Sequence, residues 1–354
     1  MQSATSSKPN QGSAPMMWRF VFLCWIVLSS VGCAAGLPKV ADLSCLPESD
    51  TAQVDLFFVT DRGIAASAPE VLLDSSRSDR LTYGMVRLDL PTTRKRSFGT
   101  ITSDFKIASI ITYKDSVDFL QEVKARARNR SVLLYTHGFN EDFQESAFRV
   151  GYFYLDGCLK IVPILFSWPS KGSMFAHSYD QDSATFARGA YLSLLKSILD
   201  SHLSRPVDLM AHSMGNWIVL EALNRLKMEG EVRGKPVGRV GTVILASPDV
   251  DVDVFRTLLP GALGVSDRVV LMASQKDKLL LVSRLLALGG ARAGQATGAE
   301  LMNHGIVASR NFSVFRMDSA KVGTCPALGH RCATANPYVV NYEKRILEQR
   351  QPQE

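Results

Sequence analysis

From residue 131 onward the chain alternates short, apolar, β-branched runs with longer stretches whose apolar residues recur at helical spacing. No other feature constrains the fold as strongly. Strands joined through helices lie parallel, and a parallel sheet needs helices over both faces. The runs Ser131 to Tyr135, Ile161 to Ser167, Val207 to His212, Val240 to Ala246, Arg268 to Ala273 and Phe312 to Arg316 read as strands. Their apolar character is continuous, as in strands buried on both faces. Between them Glu145 to Cys158 and Ser183 to Leu203 read as helices, the second with Ala187, Tyr191, Leu194, Leu195 and Ile198 along one stripe. A last helix is expected from Pro337. The expected fold class is α/β, a mostly parallel central sheet with helices on both faces.

Upstream, Val54 to Arg62 and Leu81 to Pro91 read as strands separated by an Ala/Ser-rich loop, and Ile107 to Tyr113 as an edge strand. Asp115 to Asn129 reads as a helix with Phe119, Leu120 and Val123 inward. The Gly/Ala-rich stretch Leu288 to Glu300 reads as a mobile excursion. With 354 residues, 46% of them hydrophobic, one large domain is expected over 53–350. Lys and Arg exceed Asp and Glu by 40 − 34 = +6, spread along the chain. Phosphate binding needs clustered cations, so no nucleic-acid partner is expected.

The first 36 residues read as a secretory or lipoprotein signal, and 37–52 as a tether. Arg19 precedes the apolar run Phe20 to Leu28, and small residues follow it. That run is short of the roughly 20 residues of a membrane span. Val31-Gly32-Cys33 resembles a lipobox, with Ser30 where leucine is usual, which makes Cys33 a candidate for lipidation and membrane anchoring. Cleavage after Ala35 and an uncleaved anchor are the alternatives. Either signal places the chain in a bacterial cell envelope, periplasmic or as a membrane-anchored lipoprotein. There Cys325 and Cys332 could bridge a loop, the alternative being buried free thiols. No metal site or cofactor is expected, since the cysteine spacing lacks a second ligand pair.

The chemistry-bearing segment is Val207 to Asn216, where a strand ends in Ala211-His212-Ser213-Met214-Gly215 and a helix follows. A sharp strand-to-helix turn lifts a serine hydroxyl clear of a sheet, and glycine two residues on permits close packing. Ala211 stands where the pattern usually has a first glycine. Serine needs a base, and the base an orienting acid, both following it in an architecture of this kind. Asp277 follows the strand Arg268 to Ala273. Asp249 follows Val240 to Ala246 and is the alternative acid, although with Asp251 and Asp253 it also fits a solvated first helical turn. His330 follows the last strand and is the candidate base; His304, before that strand, is the alternative. His212 is expected to point beneath the sheet. His137-Gly138-Phe139 ends the strand two before the elbow strand. The N–H groups of Phe139 and Met214 are therefore candidate oxyanion donors.

In this order the pieces resemble the α/β-hydrolase superfamily over about residues 50 to 350. More closely, the chain resembles a bacterial family catalogued as an α/β hydrolase of unknown function. The residues that carry the likeness are Phe57 to Arg62, Tyr83-Gly84, Leu134 to Asn140, Phe166-Ser167-Trp168-Pro169, Tyr179-Asp180 with Ala184, Ala211 to Gly215, Ser247-Pro248-Asp249 with Phe255, and Ser274 to Asp277 with Ser283. The resemblance implies a serine hydrolase with Ser213, Asp277 and His330 as its triad, but no settled substrate. An esterase or lipase-like enzyme cleaving a small-molecule or lipid ester or thioester is expected. An acyltransferase using the same triad and an inert, membrane-tethered interaction module are the alternatives. Phe166 to Pro169 and Tyr179-Asp180 are expected in a loop before the long helix, as pocket lining or as packing. Oligomeric state is not legible.

Overall fold

Consecutive side chains of a strand point to opposite faces of its sheet, so runs that are apolar throughout call for cover on both sides. The computed structural model describes residues 49–64, 73–92, 106–233, 240–286, 290–319 and 329–348. Cys33 and the expected signal lie outside them. Chain contacts divide Met1–Leu37 from Pro38–Glu354, and the description below concerns the second unit. Its strands are β1 (Thr51–Ile64), β2 (Leu73–Pro91), β3 (Lys106–Tyr113), β4 (Ser131–Thr136), β5 (Ile161–Ser167), β6 (Asp208–His212), β7 (Val240–Ala246), β8 (Ser266–Ala273) and β9 (Phe312–Arg316). They form one sheet in the order β3-β2-β1-β5-β4-β6-β7-β8-β9. All neighbours from β1 to β9 pair in parallel, whereas β2 pairs antiparallel with both β1 and β3.

The helices are α1 (Ser116–Ala127), α2 (Phe143–Asp156), α3 (His177–Asp200), α4 (Gly215–Arg233), α5 (Val252–Val265), α6 (Lys278–Leu286), α7 (Gly298–Asn303), α8 (Cys332–Ala335) and α9 (Pro337–Glu348). On one face Leu134, Ile164, Leu209, Val243 and Leu271 pack with Phe119 of α1, Tyr191 of α3, Ile218 of α4 and Phe255 of α5. On the other, Leu133, Leu165, Met210, Ile244 and Val270 pack with Phe148 of α2 and Val339 of α9. One-residue steps along each strand thus divide two cores. Burying a side chain of this size is worth about 1.5–3 kcal/mol.

Four expectations need correction. Leu73 to Arg80, expected as loop, extends β2, and is tied to α3 by a side chain and a backbone group: Arg77 Nε donates to Ser183 Oγ (3.0 Å) and Tyr179 Oη to the Ser75 carbonyl (2.6 Å). Helix α3 starts at His177, so Tyr179 and Asp180 occupy its first turn rather than a loop. Thr51 and Ala52 belong to β1, not to a tether, and Ala52 is buried. Residues 291–297 are packed, rather than a free excursion. The Ala293 N–H donates to Val250 O (2.8 Å) and that of Gly294 to Pro248 O (3.0 Å), with Ala293 and Ala296 buried. Small side chains, which look like loop in a sequence, here permit backbone-to-backbone approach.

Cys158 and Cys332 are each disulfide-bonded, so neither is a free thiol; Cys325 lies outside the described residues. No helix among the described residues is long and apolar enough to cross a membrane.

Candidate active site

The chain leaves β4 for β5 on one side, while β6 lies on the other. Such a reversal of strand order opens a crevice beyond the carboxyl ends of β4 and β6, where ligands of α/β sheets bind. Ser213 follows β6 directly, with φ of 52°. A non-glycine residue held there costs about 1–3 kcal/mol and persists only where its surroundings over-determine it. They do so here. The Ser213 N–H donates to the Ala246 carbonyl (3.0 Å), and its own carbonyl accepts from Asn216 Nδ2 (2.9 Å), Asn216 N (3.1 Å) and Asp249 N (3.3 Å). Gly215 is required because a Cβ there would lie 2.3 Å from the His137 carbonyl oxygen. Ala211, in contrast, has room for its methyl group and is fully buried in the sheet.

The loop after β4 comes against this turn. A Cβ on Gly138 would stand 2.8 Å from the Ser213 Cβ and 3.0 Å from His212 Nδ1. Among the described residues no protein acceptor engages the N–H of Phe139 or of Met214. The His137 ring is buried, stacked on Trp168 at 5.0 Å, and its nitrogens lie 2.9 and 3.1 Å from the carbonyl oxygens of Gly138 and Trp168. Trp168 Nε1 donates back to the His137 carbonyl (2.8 Å). Trp168 is fully buried, so of its two expected roles the structure assigns packing.

Across the site, Asp277 caps α6 by accepting from Leu280 N (3.0 Å), and its second oxygen lies 2.7 Å from His330 Nδ1. Both side chains are buried. A carboxylate accepts, so the proton is assigned to Nδ1, which leaves the lone pair on Nε2. The contact depends on Gly329, whose φ is +94° and whose Cβ, if present, would lie 2.5 Å from the Lys276 carbonyl oxygen. The alternatives are engaged elsewhere. Asp249 accepts from Ser283 Oγ at 2.7 and 2.9 Å and pairs with Arg292 at 3.3 Å. His304 Nδ1 faces Asp253 at 3.0 Å, on the surface. Asp251 caps α5 by accepting from Asp253 N (2.9 Å).

Two residues here, Asp318 and Glu141, escape the sequence reading, and a third, His212, makes a contact that it does not foresee. Asp318, just past β9, accepts from Ser274 Oγ (2.7 Å), Gln275 N (3.1 Å) and Lys276 N (3.3 Å), and so shapes the loop that ends in Asp277. Burial pushes its carboxyl up, but these donors outweigh it and hold the group below its ordinary range. His212 is buried, and it is not remote from the candidate site: its Nε2 lies 3.1 Å from the His330 carbonyl oxygen. Burial above all pushes the His212 imidazole down to about 3, so it is neutral and donates through Nε2. Glu141 lies 2.9 Å from Arg149 Nε, as an ion pair rather than a straight hydrogen bond. Burial would raise its carboxyl, but Arg149 and Arg331 prevail and hold it near 2. An acid directly after the last strand was the available signal for Asp318. The other two carry none in single-sequence form.

Residues 114–350 match the family described as alpha/beta hydrolase of unknown function (DUF900). The chain belongs to that family. This α/β hydrolase is also similar to several solved structures. A CIB-like hydrolase from Thermoplasma acidophilum is 12% identical, with 84% of this chain and 99% of that one covered and a TM-score of 0.39. For a fungal esterase from Rhizomucor miehei the values are 11% identity, 97% and 92% coverage and 0.34. For the Pyrococcus furiosus esterase Pf2001 they are 10%, 77% and 88%, and 0.35. No curated protein matches the hydrolase in sequence.

Proposed function

We propose that this α/β hydrolase is a serine hydrolase that cleaves an ester or thioester through an acyl-enzyme. The observation that carries the reading is the buried 2.7 Å contact of Asp277 with His330 Nδ1, made by a loop whose carbonyl is tied to His212, the residue before Ser213. Ser213 Oγ attacks the substrate carbonyl while its proton passes to His330 Nε2, and Asp277 stabilises the imidazolium through Nδ1–H. The tetrahedral oxyanion accepts from the N–H groups of Met214 and Phe139, each worth about 10²–10³ in rate. His330 then protonates the leaving alcohol or thiol as the carbonyl re-forms. Water, deprotonated by His330, releases the acid and frees Ser213.

Lipid and small-molecule esters at a cell envelope are the proposed substrates, on the strength of the apolar run Phe20 to Leu28 and Cys33. Purified protein is treated with a fluorophosphonate probe beside Ser213→Ala and His330→Ala. Strong labelling of the wild type, abolished in the first variant and greatly slowed in the second, is the expected result. Labelling that survives Ser213→Ala overturns the nucleophile, and an unlabelled wild type overturns the serine mechanism.

A further inference from the structure

Several motif residues that carry the family likeness have no part in the triad: Arg62 at the end of β1, Ser167 at the end of β5, and Asp180 in the first turn of α3. They lie far apart in sequence but meet at one place. Arg62 is fully buried and its guanidinium donates to Ser167 Oγ (2.9 Å), the Ser170 carbonyl (2.8 Å) and the Glu141 carbonyl (2.9 Å). Asp180, also fully buried, accepts from Ser170 Oγ (2.6 Å), Lys171 N (2.8 Å) and Asn140 N (3.2 Å). Ser170 Oγ in turn accepts from Glu141 N (3.2 Å).

These bonds converge on the loop that carries Phe139. Gly138 is pressed on Ser213, Asn140 is held by Asp180 with φ of 58°, and Glu141 is held at its N–H by Ser170 and at its carbonyl by Arg62. The Phe139 ring also meets His177 of α3 edge-on at 5.3 Å. The N–H of Phe139 is therefore flanked on both sides by anchored residues. We infer that Asp180 and Arg62, bridged by Ser170, are positioning residues that fix the oxyanion loop against the elbow. The inference rests on the serine-hydrolase reading and assigns a role to buried charges that the triad does not use. Oxyanion donors act only if they are aimed before charge develops, because reorganising them during reaction forfeits the gain. A buried carboxylate with three donors, beside a guanidinium with four acceptors, the fourth being the Asp74 carbonyl at 3.4 Å, holds such an aim. Removing either side chain leaves the backbone and hydroxyl groups that it bonds unpaired out of water.

The test compares wild type with Asp180→Asn and Ser170→Ala, by hydrolysis of a short p-nitrophenyl ester and by inhibition with a boronic acid, whose serine adduct is tetrahedral like the transition state. Asn offers one acceptor oxygen where Asp180 offers two, and Ser170→Ala removes the bridge without touching either charge. Expected is a fall in kcat of about tenfold or more, less than the 10²–10³ for a lost donor, with KM within about twofold. The boronic-acid affinity falls by the same factor as kcat/KM. If Asp180→Asn does not fold, Ser170→Ala carries the test. Unchanged kcat/KM, or a loss confined to KM with boronic-acid affinity intact, overturns the inference. Wild type labelled by fluorophosphonate alongside insensitive variants defeats this inference alone. An unlabelled wild type defeats the serine-hydrolase reading and this inference with it.

Discussion

The two sides of the candidate site are held by different means. On the oxyanion side, fully buried Arg62 and Asp180 satisfy one another's surroundings through backbone groups and a shared serine. On the acid–base side, Asp277 meets His330 through one short contact, and the loop beneath it is tied by Asp318, whose side chain is 21% exposed and paired with an Arg316 that is 28% exposed. Disturbing a buried charge strands its partners at about 3–5 kcal/mol, whereas exposed pairs are worth about 0–1 kcal/mol. The loop proposed to bear the oxyanion donor is therefore the more rigid side. The proposed base is carried on the softer one.

The largest effect expected is on the soft side, where one contact orients the base. Asp277→Asn should lower kcat by about 10⁴ by stabilising the wrong imidazole tautomer, as loss of the orienting acid does in such triads. Asp249→Asn, which disturbs only Ser283 and Arg292, should lower it less than tenfold. Steady-state hydrolysis of a p-nitrophenyl ester reads both, and the reverse ranking would break the assignment of the acid. Next in size is Gly329→Ala. A side chain at φ +94°, against the Lys276 carbonyl, adds strain of about 1–3 kcal/mol. At roughly 2–4 °C per kcal/mol that lowers Tm by several degrees, and kcat falls with it. An unchanged Tm would show that the base loop is not anchored at this approach.

Smaller again is Asp318→Ala. Four hydrogen bonds at a part-exposed carboxylate are lost, those from Ser274, Gln275, Lys276 and Arg316, and about 1 kcal/mol of stability with them. The folded carboxyl is held below the unfolded value. Its contribution is therefore present above the ordinary carboxylate range and disappears as pH falls through the folded pKa. Wild type and variant should converge in Tm under acid conditions and separate at neutral pH; a gap that widens in acid would contradict the hydrogen-bond account.

What was legible follows the same divide between local and distant causes. The sheet, the elbow and the nine strands leave short-range signatures, because each β-branched run or strand-to-helix turn is fixed within about ten residues. Asp277 and His330 are candidates through chain order alone; the structure brings the two side chains into contact across 53 positions. Asp180 was misplaced in a loop because Ala176, ahead of α3, provides no side-chain cap to mark the helix start. Leu73 to Arg80 was missed as strand because its side chains are Ser, Asp and Arg, and its register depends on β1 and α3. Residues 291–297 were misread because Gly and Ala signal either slack or close approach, and only the neighbouring backbone at Pro248 and Val250 decides which.

The subtlest way to sharpen the comparison lies beside Arg62. Asp61 is 1% exposed, and neither of its carboxylate oxygens accepts a hydrogen bond among the described residues, in contrast to Asp180 with its three donors. Burial pushes its carboxyl up to about 7, against the partial relief given by its own backbone N–H and Arg62. The folded state therefore holds a proton that the unfolded chain releases, so Asp61 costs stability increasingly as pH rises from about 4 to 7, with a ceiling of ~4 kcal/mol for a shift of this size. Asp61→Asn removes that pH-dependent cost but buries an amide with its own unmet bonds, at about 1–3 kcal/mol. The net gain at pH 8 is about 1–3 kcal/mol, and near pH 4, where the wild-type cost has largely vanished, the variant is the less stable of the two. Differential scanning calorimetry from pH 4.5 to 8 should show the Tm of the variant rising relative to wild type by several degrees across the range. A constant difference would mean that Asp61 is ionised and paired throughout, and that the oxyanion side tolerates buried charge without the donors that Asp180 has.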